Sequence, residues 1–152
     1  MNNQNFTTAF LVSKTPGEVF DAINNVTAWW TENLKGSSHK LNDEFEVRFG
    51  DVHYSKQKLI EIIPTKKISW LVTDSKLNFI KDKREWTGTT IVFDISEKGD
   101  KTQVRFTQLG LVPEVECYNA CSNAWNDYLH NSLRKLVETG KGEPTPIDHK
   151  VV

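Results

Sequence analysis

The 152-residue chain carries 38% hydrophobic and 26% charged residues, with a formal net charge of −1. That balance describes a globular chain long enough to bury a real core, and it excludes a disordered polymer. It supplies no basic excess for nucleic acid, no acidic arm and no apolar run of bilayer length.

Met1-Asn2-Asn3-Gln4-Asn5 shows no basic region followed by an apolar stretch, so no signal peptide is expected and the cytoplasm is the default location. No repeat, low-complexity tract or Pro/Ser-rich linker interrupts the chain, which implies one domain over residues 1–152 with its core at about 6–142. The two cysteines, Cys117 and Cys121, are spaced to share a helix face and read as two small buried apolar residues. They form neither a CxxC redox pair nor a zinc set. Five tryptophans need either a large interior or a cavity to line.

Phe6 to Val12 alternates as a first strand, with Phe6, Thr8, Phe10 and Val12 on one face. Thr15-Pro16-Gly17-Glu18 is a capping box that starts a helix carrying Val19, Phe20 and Ile23, and Asn24-Asn25 ends it. Val26 to Trp30 reads as a second short helical turn. The period then becomes two: in Glu44–Phe49 the side chains of Phe45, Val47 and Phe49 point in. Gly50-Asp51 is a turn, and further strands are expected at His53–Ile63, Lys67–Asp74, Trp86–Ser96 and Lys101–Leu109. Short connections make these an antiparallel meander.

The last element is a long amphipathic helix expected over Glu114–Glu138, opened by Pro113 and stopped by Gly140. Cys117, Cys121, Trp125, Tyr128, Leu129, Ser132 and Leu136 share its apolar side; an Asn-rich face with His130 opposes it. Such a stripe must lie on the inner face of the meander, and a twisted sheet around one helix leaves a gap where small ligands bind.

Glu85-Trp86-Thr87-Gly88-Thr89, the run Phe106 to Leu111, and Cys117-Tyr118 followed by Trp125 and Tyr128-Leu129 resemble the START-like or SRPBCC superfamily. With Pro16, Glu18, Val19, Phe20 and Trp29-Trp30, they are similar to the branch related to activators of the heat-shock-protein-90 ATPase. The resemblance implies an α+β helix-grip fold. In it, a curved antiparallel sheet of about six strands grips the C-terminal helix, and two short helices follow the first strand. It also brings a chaperone, or another protein, into view as a partner. Members of the superfamily include lipid and sterol carriers, cyclases and stress-related proteins, so the fold alone does not select an activity.

The residues placed to line a cavity are Trp29, Trp30, Phe45, Phe49, Trp70, Trp86, Phe93, Phe106, Cys121, Trp125 and Tyr128. Any one ring taken singly reads first as packed core, and the set taken together implies that a few of them line a pocket. Trp125 and Tyr128 stand out because each joins an apolar ring to one polar handle. For catalysis, His39 lies in a loop and His149 in the tail, while His53 could point inward; an enzyme reading would rest on His53, Tyr54 or Tyr128. Asp94 should face solvent, and Asp74 and Asp82 flank a charged loop. Leu77, Phe79 and Ile80 in that loop either form a gate or a partner contact, or tuck over the end of the core. No phosphate loop, nucleophile elbow or ligand cluster occurs, so no cofactor or metal is expected. The expected function is binding of a small hydrophobic molecule, by a monomer or a homodimer, without nucleic acid.

Overall fold

The computed structural model describes residues 4–146. β1 (Phe6–Val12) is followed by α1 (Pro16–Asn24) and a 3-10 turn at Val26–Ala28. β2 (Leu34–Gly36), β3 (Glu44–Phe49), β4 (His53–Ile63), β5 (Lys67–Leu77), β6 (Thr90–Lys98) and β7 (Lys101–Leu109) follow in turn. All seven strands form one antiparallel sheet in the order β1-β7-β6-β5-β4-β3-β2. The meander therefore runs uninterrupted from β2 to β7, and β1 returns to pair with β7. This is the expected helix-grip architecture with one more strand than anticipated.

The extra strand is β2. At three residues it carries no readable alternation, and its burial is slight. Gly36 fits there because its φ is +108° and a Cβ would meet the Glu44 carbonyl oxygen at 2.2 Å. The strand expected from Trp86 begins only at Thr90, because Trp86–Thr89 is a turn. That turn is tied to β5 by Gly88 N–H to Val72 O at 2.8 Å and Val72 N–H to Thr89 O at 2.9 Å. The β4–β5 turn puts Thr65, a β-branched residue, at φ +65°. Thr65→Asn, which suits the left-handed region, is expected to raise stability by about 0.5–1 kcal/mol in urea unfolding. No gain would mean the turn relaxes in solution.

The capping box forms as its residues imply. Thr15 Oγ1 accepts from Glu18 N–H at 3.2 Å, and Glu18 Oε1 accepts from Thr15 N–H at 3.0 Å. The C-terminal helix starts later than its end signals suggest. α2 spans Tyr118–Asp127, a π-helical segment spans Tyr128–Leu133, and α3 spans Arg134–Thr139. Residues 113–117 turn instead of coiling, because the Glu85 carboxylate takes the N–H groups of Glu116 (2.8 Å) and Cys117 (2.9 Å). Gly140 ends the helix in the left-handed conformation, with its N–H on Leu136 O.

The π segment keeps the buried seam straight. An α-helix drifts by about 40° over four residues, and the wider turn takes up part of that drift. Trp125, Leu129, Leu133 and Val137, spaced by four, are all buried as a result. Leu136, expected on the apolar side, is only partly buried. His130 also departs from expectation. It is not a solvent-facing residue: its Nε2 lies 2.8 Å from Thr8 Oγ1 and its ring 5.5 Å from that of Phe10. His149 lies outside the described residues. Among the described residues no helix is long and apolar enough to cross a membrane.

Candidate functional site

The sheet's inner face and the helix meet across a continuous stack of rings. Trp30 stacks on Trp125 (5.0 Å between centroids), Trp70 (5.8 Å) and Trp29 (6.1 Å), and Trp125 stacks in turn on Trp86 at 5.8 Å and 9°. Phe93 and Phe106 extend the cluster toward β6 and β7, Phe93 edge-on to Trp70 and the two edge-on to one another. One polar thread crosses it. Trp125 Nε1 donates to Gln108 Oε1 at 2.8 Å, Gln108 Nε2 donates to Thr89 Oγ1 at 3.0 Å, and Thr89 Oγ1 donates to the Trp86 carbonyl at 2.7 Å. All three side chains are buried, so each link is satisfied internally.

At one end of this cluster the packing opens. Trp30, Phe49, Val52, His53, Phe79, Trp86, Ala120, Cys121, Ala124, Trp125 and Tyr128 line a pocket of about 220 Å³. Trp30 and Trp125 form its floor, the β3–β4 turn supplies Phe49, Val52 and His53, and α2 supplies one wall. Val52 and Phe79 are more than 40% exposed, which places two apolar side chains at the mouth. Asn78 joins their loops by donating to Val52 O at 2.9 Å from its N–H and to Asp51 O at 2.6 Å from Nδ2. The loop divides its apolar residues: Leu77 and Ile80 are buried in the core, and Phe79 stands at the pocket.

Six of the eleven residues named from sequence come together here: Trp30, Phe49, Trp86, Cys121, Trp125 and Tyr128. Trp29, Phe45, Trp70, Phe93 and Phe106 lie deeper, at 0–1% exposure, in the closed core. Phe79 takes the gate position, one of the two readings of its loop, whereas Val52, Ala120 and Ala124 were not foreseen. The two alanines did leave a signal: with Cys117 and Cys121 they make a run of small residues at helical spacing opposite bulky rings.

His53 is the one ionisable base on the pocket wall. Its ring meets Trp86 at 4.7 Å, Phe49 at 4.9 Å and Trp30 at 6.4 Å, each edge-to-face. Burial among these rings lowers its pKa to about 3. His53 Nε2 lies 2.9 Å from Ser55 Oγ, which itself accepts from Gln57 Nε2 at 2.6 Å. The Ser55 hydroxyl can donate to Nε2 or accept a second bond from it, according to which ring nitrogen carries the proton. Trp86 Nε1 has no hydrogen-bond partner among the described residues. Tyr128 closes the far side; its hydroxyl contacts Thr145 Oγ1, and burial raises its pKa. Tyr54 faces the other way, under the Arg48 guanidinium at 4.5 Å and 3.4 Å from Asp74 Oδ2. Among the described residues no three His, Cys, Asp or Glu side chains converge as a metal site.

Cys117 and Cys121 correct an expectation. Both are buried, yet they are paired as a disulfide across the first turn of α2 and do not act as two separate apolar residues. An i, i+4 spacing signals a shared face, and nothing in the spacing alone signals a bond.

Comparison with known proteins bears on this arrangement as a whole. An Aha1 dimer from Colwellia psychrerythraea superposes with a TM-score of 0.74 at 23% identity, covering 91% of this chain and 98% of that one. A Bacillus halodurans protein solved in solution gives 0.63 at 12% identity, covering 88% and 95%. DynU16, from the dynemicin biosynthetic locus, gives 0.67 at 14% identity, covering 93% of this chain and 49% of that one. At these identities the likeness shows the fold. No curated protein matches the chain by sequence. The family model described as Activator of Hsp90 ATPase homolog 1-like protein matches residues 14–138, most of the sequence, and the chain therefore belongs to that family.

Proposed function

We propose that this protein binds a small hydrophobic molecule between the sheet and α2, without transforming it. The observation that carries this reading is the pocket itself: about 220 Å³, walled by aromatic and aliphatic side chains and open between Val52 and Phe79. An apolar cavity of about 150 Å³ takes benzene. This one suits a ligand of one or two rings, with any longer part leaving through the mouth. Binding is favoured over turnover because His53, with a pKa of about 3, is a weak base at neutral pH. Tyr128, its pKa raised, is a correspondingly weak acid.

The test is titration with 1-anilinonaphthalene-8-sulfonate and a panel of aromatic and lipid probes, followed by tryptophan fluorescence. Ala124→Phe, which projects a ring from α2 into the pocket, is expected to weaken binding at least tenfold while the far-UV spectrum stays unchanged. Probes that fail to bind, or that bind the variant equally well, sink the proposal. A second reading comes from the family description, which names chaperone ATPase activation. A stimulated ATPase rate with the purified chaperone, together with co-purification, would support it; an unchanged rate would count against it.

A further inference from the structure

We infer that the Cys117–Cys121 disulfide is a thiol–disulfide exchange site that small thiols enter through the pocket. Cys121 lines that pocket, whereas Cys117 is fully buried and does not. The two Cα atoms are 5.6 Å apart and the bridge closes a loop of only four residues' separation. So short a loop removes little entropy from the unfolded chain, so the bond adds less to global stability than a long-range bridge does. What it does instead is tie the N-cap of a ten-residue helix to that helix's own first turn, which is part of the pocket wall.

The order of the chemistry follows from position. The thiolate of a dithiol such as dithiothreitol, or of glutathione, attacks Sγ of Cys121, the sulfur on the accessible side. The S–S bond breaks and Cys117 departs as a thiolate with the electron pair. A second thiol then attacks the mixed disulfide. It frees Cys121, carries away the oxidised reductant, and completes a two-electron reduction in which both cysteines end as thiols after taking up protons. Cys117 is the better leaving group of the two. It occupies the N-cap of α2, where its own side chain makes no capping hydrogen bond, so its thiolate is placed beside the positive end of the helix. The Glu85 carboxylate, already bound to the Glu116 and Cys117 N–H groups, offsets part of that stabilisation by its charge. This site depends on the pocket's geometry and not on the pocket having a ligand.

The full-length protein, equilibrated without oxygen across reduced-to-oxidised glutathione ratios, then alkylated and weighed, is expected to interconvert between a disulfide and a dithiol. The change should be reversible, with both labels appearing together. In single variants, Cys117→Ser leaves Cys121 to react with 5,5′-dithiobis(2-nitrobenzoate), and Cys121→Ser leaves Cys117. Cys121 is expected to react at least tenfold faster. A pair that opens only in denaturant, or one that stays reduced in excess oxidised glutathione, overturns the inference. So does a Cys117 that reacts as fast as Cys121. None of these readings uses a ligand, so a pocket that binds no probe leaves them intact, and probe binding to a redox-inert protein sinks the exchange site alone.

Discussion

Trp125→Ala is expected to lower the unfolding free energy by about 4–6 kcal/mol, a large part of what a domain of this size possesses. Two effects add. The ring is 2% exposed and touches Trp30 at 5.0 Å, Phe106 at 4.5 Å and Trp86 at 5.8 Å, so its removal leaves a cavity bounded by rigid rings that collapse poorly. Its Nε1 also serves the buried Gln108 Oε1, and an orphaned acceptor there costs about 1–3 kcal/mol. Trp125→Phe separates the two effects: most of the volume stays and the hydrogen bond goes, for an expected loss of about 1–3 kcal/mol. Adding Gln108→Leu to that variant should recover part of the loss, because both partners are then apolar. Urea unfolding measures all three. A loss below about 1 kcal/mol for the alanine variant would mean that Trp125 is a loose pocket wall and not a packed element.

What could be read in advance divides along a physical line. The capping box at Thr15 and the alternation of Phe45, Val47 and Phe49 depend on neighbours in the chain, and both appear as written. So does the helix stop at Gly140. The late start of α2 depends on Glu85, some thirty residues upstream, taking the Glu116 and Cys117 N–H groups just after the Pro113-Glu114 start signal. The π segment at Tyr128–Leu133 depends on packing: Ser132 Oγ donates to Trp29 O at 2.6 Å and accepts from Glu143 N–H at 2.8 Å, and neither contact has a local signature.

The site was legible as a set of inward rings and not as a place. Alternation puts Trp70, Phe93 and Phe106 on the same face as Phe49, and only their distance from the open end separates core from pocket. Phe49 sits at the last position of β3, where the sheet runs out. Trp70 and Phe93 sit on central strands with neighbours on both sides. Val52 and Phe79 come from connections whose course no period describes. The pocket is the part of the interior that the loops fail to cover, which makes it the part least dictated by pattern.

His53 makes that incompletely covered interior sensitive to acid. Its folded pKa of about 3 lies below the ordinary value of 6.5, so the unfolded chain binds the proton more tightly. Stability from a neutral His53 is therefore complete above about pH 6.5 and is lost progressively as the pH falls toward 3. The loss at pH 5 is expected to be about 1–2 kcal/mol, after allowance for the ring's open side toward the pocket. His130 is shifted in the same direction by burial and then by Arg134, so wild-type protein alone does not isolate the effect. His53→Gln does. The variant cannot charge, and its unfolding free energy should fall less than that of the wild type between pH 7.5 and pH 5, by that same margin. A probe that fills the pocket and keeps water from the ring should leave this acid sensitivity in place, since the sensitivity comes from the proton that the unfolded chain takes up and the probe only keeps the folded ring neutral. Equal pH slopes for variant and wild type would show that water already reaches the ring, and that the pocket is wetter than its aromatic walls imply.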